Sequence, residues 1–402
     1  MRSASRALLL AAALPALCPR LPAQADLFPV REVTVPESAA GDEFGARLAV
    51  VGSHLAVGAR GRGNGAVYIL DPGTGQQLAR IDAPQGAFQF PISMAAAGPG
   101  RLVASNYLSG GSAALYAVPS GGLIANLADP DDRSGGFGAA VASDGEVIAV
   151  SDLFEDSGAK AKGVVHLYRA DSGAYLRTIQ NANQTFGGFG FGNSLLISNG
   201  VLYAGAIYAT TGSTPGGGEA YAVRLSDGAP LATYPDATEG QNLLGAALAL
   251  TPAGLAVAPG YDDGIPYGYL YIFAGTDPLP ITTLRSPGLA SPNRRNDRFG
   301  AAVATDAEGA LLVGTPRGPF DAVQTRKGIV YRHDPSTGAL LGSLTFPEGT
   351  GRTFGAAGEA IAVDGRTIYV GAPSSDTSPD DGGRVWVYEL PARGPAGGFV
   401  VR

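Results

Sequence analysis

Apolar residues in this chain fall in short runs separated by turns, and the same arrangement returns along the sequence. One copy opens at Phe137-Gly138, continues through two apolar runs as far as Ser151, and turns between them at Asp144-Gly145. Short runs rich in β-branched residues and bounded by Gly, Asp and Ser are typical of β-strands. No long stretch has the spacing of an amphipathic helix. The pattern therefore predicts an all-β protein built from a repeat.

The repeat has seven copies, most of which begin with Phe-Gly. The clear copies open at Phe44, Phe137, Phe299 and Phe354, and degraded copies open at Phe90, Phe191 and Leu244. Each copy is predicted to form four strands, of which the third opens on Gly and is rich in Val, Ile and Tyr. The turn before the fourth strand has the form of Asp71-Pro-Gly-Thr-Gly75, in which Asp accepts backbone hydrogen bonds and Gly adopts a positive φ.

Four-stranded copies at intervals of roughly 50 residues predict a seven-bladed β-propeller of four-stranded antiparallel blades. The first two strands of each copy are dominated by Ala, Gly and Val, which suits the crowded centre of such a ring. A parallel β-solenoid is the alternative. Solenoid coils are shorter and lack hairpin turns at regular offsets, so the propeller is favoured.

The two ends of the chain predict how the ring closes. The last copy runs through Gly383 to Tyr388 and then meets Pro391 without a fourth strand, while Val30 to Val35 leads into Phe44 as a fourth strand would. Pairing these segments removes two free sheet edges. We therefore expect one propeller over residues 26–390, closed by its N-terminal strand, with a C-terminal tail at 391–402.

The first 25 residues have the features of a secretory signal: Arg2 and Arg6, an apolar run, and the small-residue site Ala23-Gln24-Ala25. The apolar run is far short of a membrane span, and the bulky Leu17 before Cys18 disfavours a lipoprotein. We therefore expect a secreted, periplasmic or extracellular protein without membrane insertion.

Charge and cysteine content narrow the choice of partners. The formal net charge is −7 and the single cysteine lies within the signal. An acidic chain with scattered basic residues is a poor ligand for nucleic acid, and a chain without further thiols must be stabilised by burial. We expect a monomer that binds a protein or a polysaccharide.

The Phe-Gly openings and the segment Val370-Gly-Ala-Pro373, with weaker copies at Val57 to Ala59 and Val313 to Pro316, resemble FG-GAP repeats, the units of the integrin α-subunit type of propeller. The resemblance covers nearly the whole chain after the signal. It implies a seven-bladed extracellular propeller used for adhesion or recognition.

Many members of that family carry an Asp-rich calcium loop between the first two strands of a blade. Here those turns contain one carboxylate or none in most copies, as at Asp144, Asn199 and Asp364, and two at Asp306 and Glu308. Calcium needs several oxygen ligands on one loop, so we expect neither calcium, another metal nor a cofactor. The Asp129-Pro-Asp131-Asp132 segment is interpreted as a solvated turn.

Catalytic signatures are weak. His54 falls in a turn, and His166 and His333 lie on or just after third strands. None has metal-ligand spacing, so they are interpreted as ordinary surface or strand residues. Nucleophile-elbow, Walker and zinc-protease motifs are absent. The segment Leu70 to Leu78 is also similar to quinoprotein dehydrogenase repeats, but that family needs a tryptophan in most blades and this chain has one. We predict no catalytic residue; the alternative is a glycoside hydrolase or lyase that uses paired loop carboxylates.

The predicted binding site lies on the face that carries the long connections. In an up-and-down blade the connections between strands two and three, and between strand four and the next blade, emerge on one side. These connections vary in length and content, as binding loops do. The candidate binding residues are Phe154, Glu155, Asp156, Tyr208, Tyr261, Asp262, Asp263, Tyr267, Phe320, Asp380 and Asp381.

Overall fold

The computed structural model describes residues 26–35, 41–61, 64–107, 110–130, 136–153, 163–180, 190–210, 216–237, 242–260, 269–287, 297–318, 328–346, 357–373 and 382–392. In these residues the chain forms 28 strands arranged in seven four-stranded antiparallel sheets. The described residues contain no helix with the length and hydropathy of a membrane span. The protein is an all-β, seven-bladed propeller, as the repeat predicts.

The strands follow one another blade by blade. The N-terminal strand is β1 (Arg31–Val33). Blade one contains β2 (Phe44–Val51), β3 (His54–Ala59), β4 (Ala66–Leu70) and β5 (Gln77–Asp82). Blade two contains β6 (Ser93–Ala96), β7 (Arg101–Asn106), β8 (Ser112–Ala117) and β9 (Leu123–Leu127). Blade three contains β10 (Phe137–Ser143), β11 (Val147–Asp152), β12 (Val164–Arg169) and β13 (Tyr175–Gln180).

The remaining blades repeat this order. Blade four contains β14 (Phe191–Ser198), β15 (Val201–Ala206), β16 (Glu219–Arg224) and β17 (Pro230–Pro235). Blade five contains β18 (Ala247–Thr251), β19 (Gly254–Ala258), β20 (Leu270–Phe273) and β21 (Pro280–Leu284). Blade six contains β22 (Val303–Thr305), β23 (Leu311–Thr315), β24 (Ile329–His333) and β25 (Leu340–Leu344). Blade seven contains β26 (Ala360–Asp364), β27 (Thr367–Ala372) and β28 (Arg384–Glu389).

The blades form a ring around their first strands. The first strand of every blade lies against the first strand of the next, and β26 of blade seven lies against β2 of blade one. Third strands such as β4 are buried along their whole length, whereas in fourth strands such as β5 exposed residues alternate with partly or fully buried ones. The described residues form seven hydrophobic clusters, each shared by two neighbouring blades. The core therefore lies at the boundaries between blades.

The N-terminal strand closes the ring, which confirms the prediction from the two chain ends. β1 pairs antiparallel with β28, so that Arg31 lies opposite Val387 and Val33 opposite Val385. Val33 and Val35 are buried in the cluster between blades seven and one. The preceding residue Leu27 makes a further bridge to Leu344 of blade six. The N-terminal segment thus completes blade seven and also contacts its neighbour.

The Phe-Gly motif has a packing function. The Phe44 ring packs edge-on against Tyr68 of β4 with 5.6 Å between centroids, and Phe191 packs against Tyr221 in the same way at 5.8 Å. Gly45 has φ +97°, and a Cβ at this position would lie 2.5 Å from the carbonyl oxygen of Arg384. Only glycine fits such an approach between neighbouring backbones. The motif therefore fastens one blade to the preceding one.

In blade seven the motif occupies a different position from the one that the sequence predicts. Ala357 bridges Gly328 of blade six, as Phe44 bridges Gly383 of blade seven, and Gly358 has φ +92°. Ala357-Gly358 therefore takes the place assigned to Phe354-Gly355, which lies outside the described residues. Trp386 and Ala357 belong to the same buried cluster. Blade seven thus has Trp where blade one has Tyr68, and Ala where blade one has Phe44.

Candidate functional site

The two faces of the ring differ in their connections. On one face, the turn face, strands one and two and strands three and four are joined by tight hairpins, such as the one between Val51 and His54. On the other, the loop face, β11 ends at Asp152 and β12 begins at Val164, and β23 ends at Thr315 while β24 begins at Ile329. The loop face therefore carries the longer and more variable segments.

Carboxylates on the turn face are engaged by the backbone. Asp71 Oδ1 accepts hydrogen bonds from the amides of Gly73 and Thr74, both at 2.8 Å, and the bond from Thr74 is the main reason that the pKa of Asp71 is lowered. Asp144 Oδ1 accepts from the amides of Glu146 and Val147. These aspartates cap turns, as the sequence predicts.

The turn of blade six holds a buried ion-pair network. Asp306 Oδ1 accepts from the backbone amide of Glu308 at 2.8 Å, and its Oδ2 accepts from Arg332 Nε at 2.6 Å. Arg332 also pairs with Glu308, which pairs in turn with Arg366 of blade seven. Asp306 and Glu308, the two carboxylates of the turn between strands one and two, thus both pair with arginine.

Of the predicted binding residues, the structure describes Tyr208. It follows β15 on the loop face and is 52% exposed. The segment around it is fixed by a bond from the Ala209 amide to the Ala206 carbonyl at 3.0 Å, and by one from the Gly218 amide to the Ala209 carbonyl at 3.1 Å. The other predicted residues lie outside the described residues: Phe154, Glu155, Asp156, Tyr261, Asp262, Asp263, Tyr267, Phe320, Asp380 and Asp381.

Three side chains of types that can ligate metals lie together at the loop-face end of the boundary between blades two and three. We call Asp129, Asp152 and His166 the blade 2–3 cluster. One ligand atom of each lies within 4.8 Å of those of the other two, Asp152 and His166 are buried and Asp129 is half-buried. Two ionised carboxylates at this separation repel by at least about 3 kcal/mol at an effective dielectric constant of about 20. An imidazolium offsets one of these charges, and a divalent cation offsets both.

The cluster arises from departures from the repeat. The residue paired with the motif Phe is Ala59 in blade one and Ala206 in blade four, but Asp152 in blade three. The ring packed against that Phe is Tyr68, Tyr221 or Tyr331 in blades one, four and six. In blade three it is His166, at 5.9 Å from Phe137. Blade three therefore replaces an alanine and a tyrosine with two groups that ligate metals.

Neighbouring groups orient the cluster. His166 Nδ1 lies 2.8 Å from Thr178 Oγ1, which itself lies 2.8 Å from the Tyr175 hydroxyl. With Nδ1 facing this hydroxyl, Nε2 is the nitrogen able to act as a ligand. The Tyr168 hydroxyl donates to the carbonyl of Ala128 at 2.6 Å, which fixes the backbone beside Asp129.

Among the described residues, the equivalent place between blades four and five holds the carboxylate of Asp236. Asp236 lies two residues after the buried Tyr234, as Asp129 lies two residues after the buried Leu127. The Tyr271 hydroxyl donates to Asp236 Oδ1 at 3.0 Å, and Asn242 Nδ2 donates to Oδ2 at 2.7 Å. This is a hydrogen-bonded structural carboxylate.

Sequence reasoning placed His166 and His333 on or next to third strands, which the structure confirms. Both are strand residues, and both side chains are buried. His333 Nδ1 lies 3.2 Å from the carbonyl oxygen of Gly338, and burial lowers the pKa of its imidazole. The interpretation of Asp129 as a solvated turn residue missed its contact with Asp152 and His166. Comparison of Val150-Ser-Asp152 with Val57-Gly-Ala59 was the signal that could have found the cluster.

Comparisons with known proteins concern the fold. No protein-family model matches the sequence, and no curated protein matches it. The crystal structure of the computationally designed Ika8 protein is 14% identical, with a TM-score of 0.53 over 91% of this chain and 99% of that one. The structure of BamB from Moraxella catarrhalis is also 14% identical, with a TM-score of 0.49 over 90% of this chain and 94% of that one. The class that the fold defines is the seven-bladed β-propeller.

Proposed function

We propose that this chain is a secreted, non-catalytic propeller that binds a protein or a polysaccharide through its loop face. The observation that supports this most is the difference between the two faces. The turn face is built from short hairpins closed by Asp and Gly, whereas the loop face carries connections that change from blade to blade. Variable segments on a rigid scaffold are where binding residues concentrate.

Two further features favour recognition. The resemblance of the Phe-Gly copies to FG-GAP repeats points to adhesion or recognition, and the N-terminal segment has the pattern of a secretory signal. Tyr208 adds an exposed aromatic side chain on the loop face. A tyrosine there offers a large contact area and a hydroxyl for hydrogen bonds.

The proposal is tested with partners found on an array of purified polysaccharides, or with a purified protein shown to bind directly. A Y208A variant, and a second variant that changes Tyr261 to Ala and both Asp262 and Asp263 to Asn, should each bind at least tenfold more weakly. Their thermal midpoints should equal that of the original protein because these residues lie in connections.

The matched control changes Asp144 and Asp364 of the turn face to Asn, which keeps the side-chain oxygen with which Asp144 caps its turn. Affinity should then be unaltered. A partner that loses affinity in this control and retains it in both loop-face variants would place binding on the opposite side of the ring.

A further inference from the structure

The boundary between blades two and three brings together two carboxylates and an imidazole, with one ligand atom of each within 4.8 Å of those of the other two. A single carboxylate is sufficient for a structural hydrogen bond in this place, as Asp236 shows with Tyr271. The second carboxylate, Asp152, is fully buried and lies where blades one and four have alanine. A divalent cation bound here would offset the charge of both carboxylates.

We propose that Asp129, Asp152 and His166 bind a divalent transition-metal cation of the Zn²⁺ or Mn²⁺ type. One imidazole nitrogen with carboxylate oxygens is a ligand set that suits these ions. Calcium is disfavoured because it takes six to eight oxygen ligands, and this cluster offers a nitrogen and two carboxylates. The site is distinct from the turns between strands one and two, because it lies on the opposite face.

The dimensions fit such an ion. At bond lengths of about 2.1 Å, two ligands of a tetrahedral Zn²⁺ lie about 3.4 Å apart. The ligand atoms of the cluster lie within 4.8 Å of one another, so closure onto an ion requires side-chain shifts of about an ångström. Asp129 is half-buried and lies beyond the end of β9, which makes its side chain the one best able to move.

The surroundings of His166 match those of a metal-bound histidine. Such histidines usually donate their second ring N–H to a neighbouring acceptor, which fixes the tautomer and the ring orientation. Thr178 Oγ1, 2.8 Å from Nδ1, is that acceptor, and Tyr175 positions it. Nε2 then faces the ion.

A bound ion would link the two blades. Asp129 belongs to the connection that leaves blade two, whereas Asp152 and His166 belong to strands β11 and β12 of blade three. With three protein ligands, at least one coordination position remains for water or for an oxygen of a bound molecule.

The test uses the full chain, treated with EDTA, dialysed, and titrated with ZnCl₂ or MnCl₂ in a calorimeter. We expect one ion per chain and a rise in the thermal midpoint, because an ion that binds only the folded state stabilises it. Calcium chloride at the same concentration should leave the midpoint unchanged. With Co²⁺ as the probe, visible absorption bands should appear and should be lost in H166Q.

Variants locate the ion. D129N, D152N and H166Q should each weaken binding at least tenfold. H333Q changes another buried histidine of a third strand, and D236N changes the carboxylate at the equivalent boundary, so both should retain full affinity. D152N or H166Q could fail to fold, which circular dichroism would show. D129N then tests the proposal, because the half-buried Asp129 can be replaced with less effect on the fold. Absence of Zn²⁺ and Mn²⁺ binding, or full binding by D129N, would overturn the proposal.

Discussion

The boundaries between blades two and three and between blades four and five have the same geometry but different chemistry. In both, an aspartate two residues beyond the buried residue of a fourth strand meets the third strand of the next blade. Asp236 accepts hydrogen bonds from Tyr271 and Asn242, whereas Asp129 meets His166 and a second carboxylate, Asp152. The repeat thus determines which positions meet at a boundary, and the residue types at those positions determine the chemistry of the boundary.

This difference separates a structural boundary from a candidate site. A buried carboxylate with two donors is satisfied and holds the two blades together. The boundary between blades two and three adds a second carboxylate and an imidazole, which are groups of the kinds that bind metal ions. The fold is expected to depend on its boundaries to different degrees.

The largest effect is expected where the ring closes, between blade seven and blade one. Deletion of residues 26–36 removes β1, its pairing with β28, and the buried Val33 and Val35. The free edge of β28 and the exposed core should abolish cooperative thermal unfolding, as followed by circular dichroism. Deletion of residues 394–402 is the control and should leave the midpoint near that of the original protein. Equal effects of the two deletions would show that closure does not depend on β1.

A smaller effect is expected at the boundary between blades four and five. D236A removes the acceptor of two buried hydrogen bonds, so the free energy of unfolding should fall by about 3 kcal/mol. Y271F removes one donor and should cost about 1 kcal/mol. Denaturation in urea measures both.

The matched change at the boundary between blades two and three is D129N in metal-free protein. It should cost less than about 1 kcal/mol because Asp129 is half-buried and Asn keeps the shape and one oxygen of its side chain. A loss as large as that of D236A would show that Asp129 is also a structural carboxylate, and the contrast between the boundaries would fail.

A further effect is a pH dependence at the boundary between blades five and six. Burial raises the pKa of Asp297 above the usual value of 3.8, although Ser286 and the amide of Phe299 donate hydrogen bonds to its carboxylate. The native state therefore retains this proton at pH values where the unfolded chain has released it. The contribution to stability is present below the unfolded-state pKa and is lost as pH rises through the raised value.

Asp297→Asn removes this titration, so its stability relative to the original protein should increase as pH rises from about 3.8. The expected change is about 1.4 kcal/mol for each unit by which the folded-state pKa exceeds the unfolded one. Urea denaturation across this range measures it. A difference between the two proteins that is constant with pH would mean that Asp297 has the same pKa in both states.

Much of the fold could be predicted because the repeat is local. The Phe-Gly openings, the Asp-Gly turns and the lone N-terminal strand together predicted seven blades and the closure of β28 by β1. The same reasoning placed the motif of blade seven at Phe354 because Phe-Gly occurs there in the sequence. The position of the motif depends instead on how the first strand pairs with the second, with Ile361 opposite Val370. A two-residue sequence match does not determine the register in which two strands pair.

The candidate site was less accessible to sequence reasoning. Asp129, Asp152 and His166 have no ligand spacing along the chain, and their proximity follows from the packing of one blade against another. Tyr208 could be predicted as a loop-face residue because its position follows from the order of strands within a blade.

The sequence by itself determined the number of blades, the position of the tight turns and the segment that closes the ring, because these depend on runs and turns within one repeat. Only the tertiary structure decided which side chains meet between blades. It placed the Asp306–Arg332 ion pair in a buried turn and brought two aspartates and a histidine together. The physical reason is that each blade buries its faces against its neighbours, so contacts at a boundary join residues that the chain itself keeps far apart.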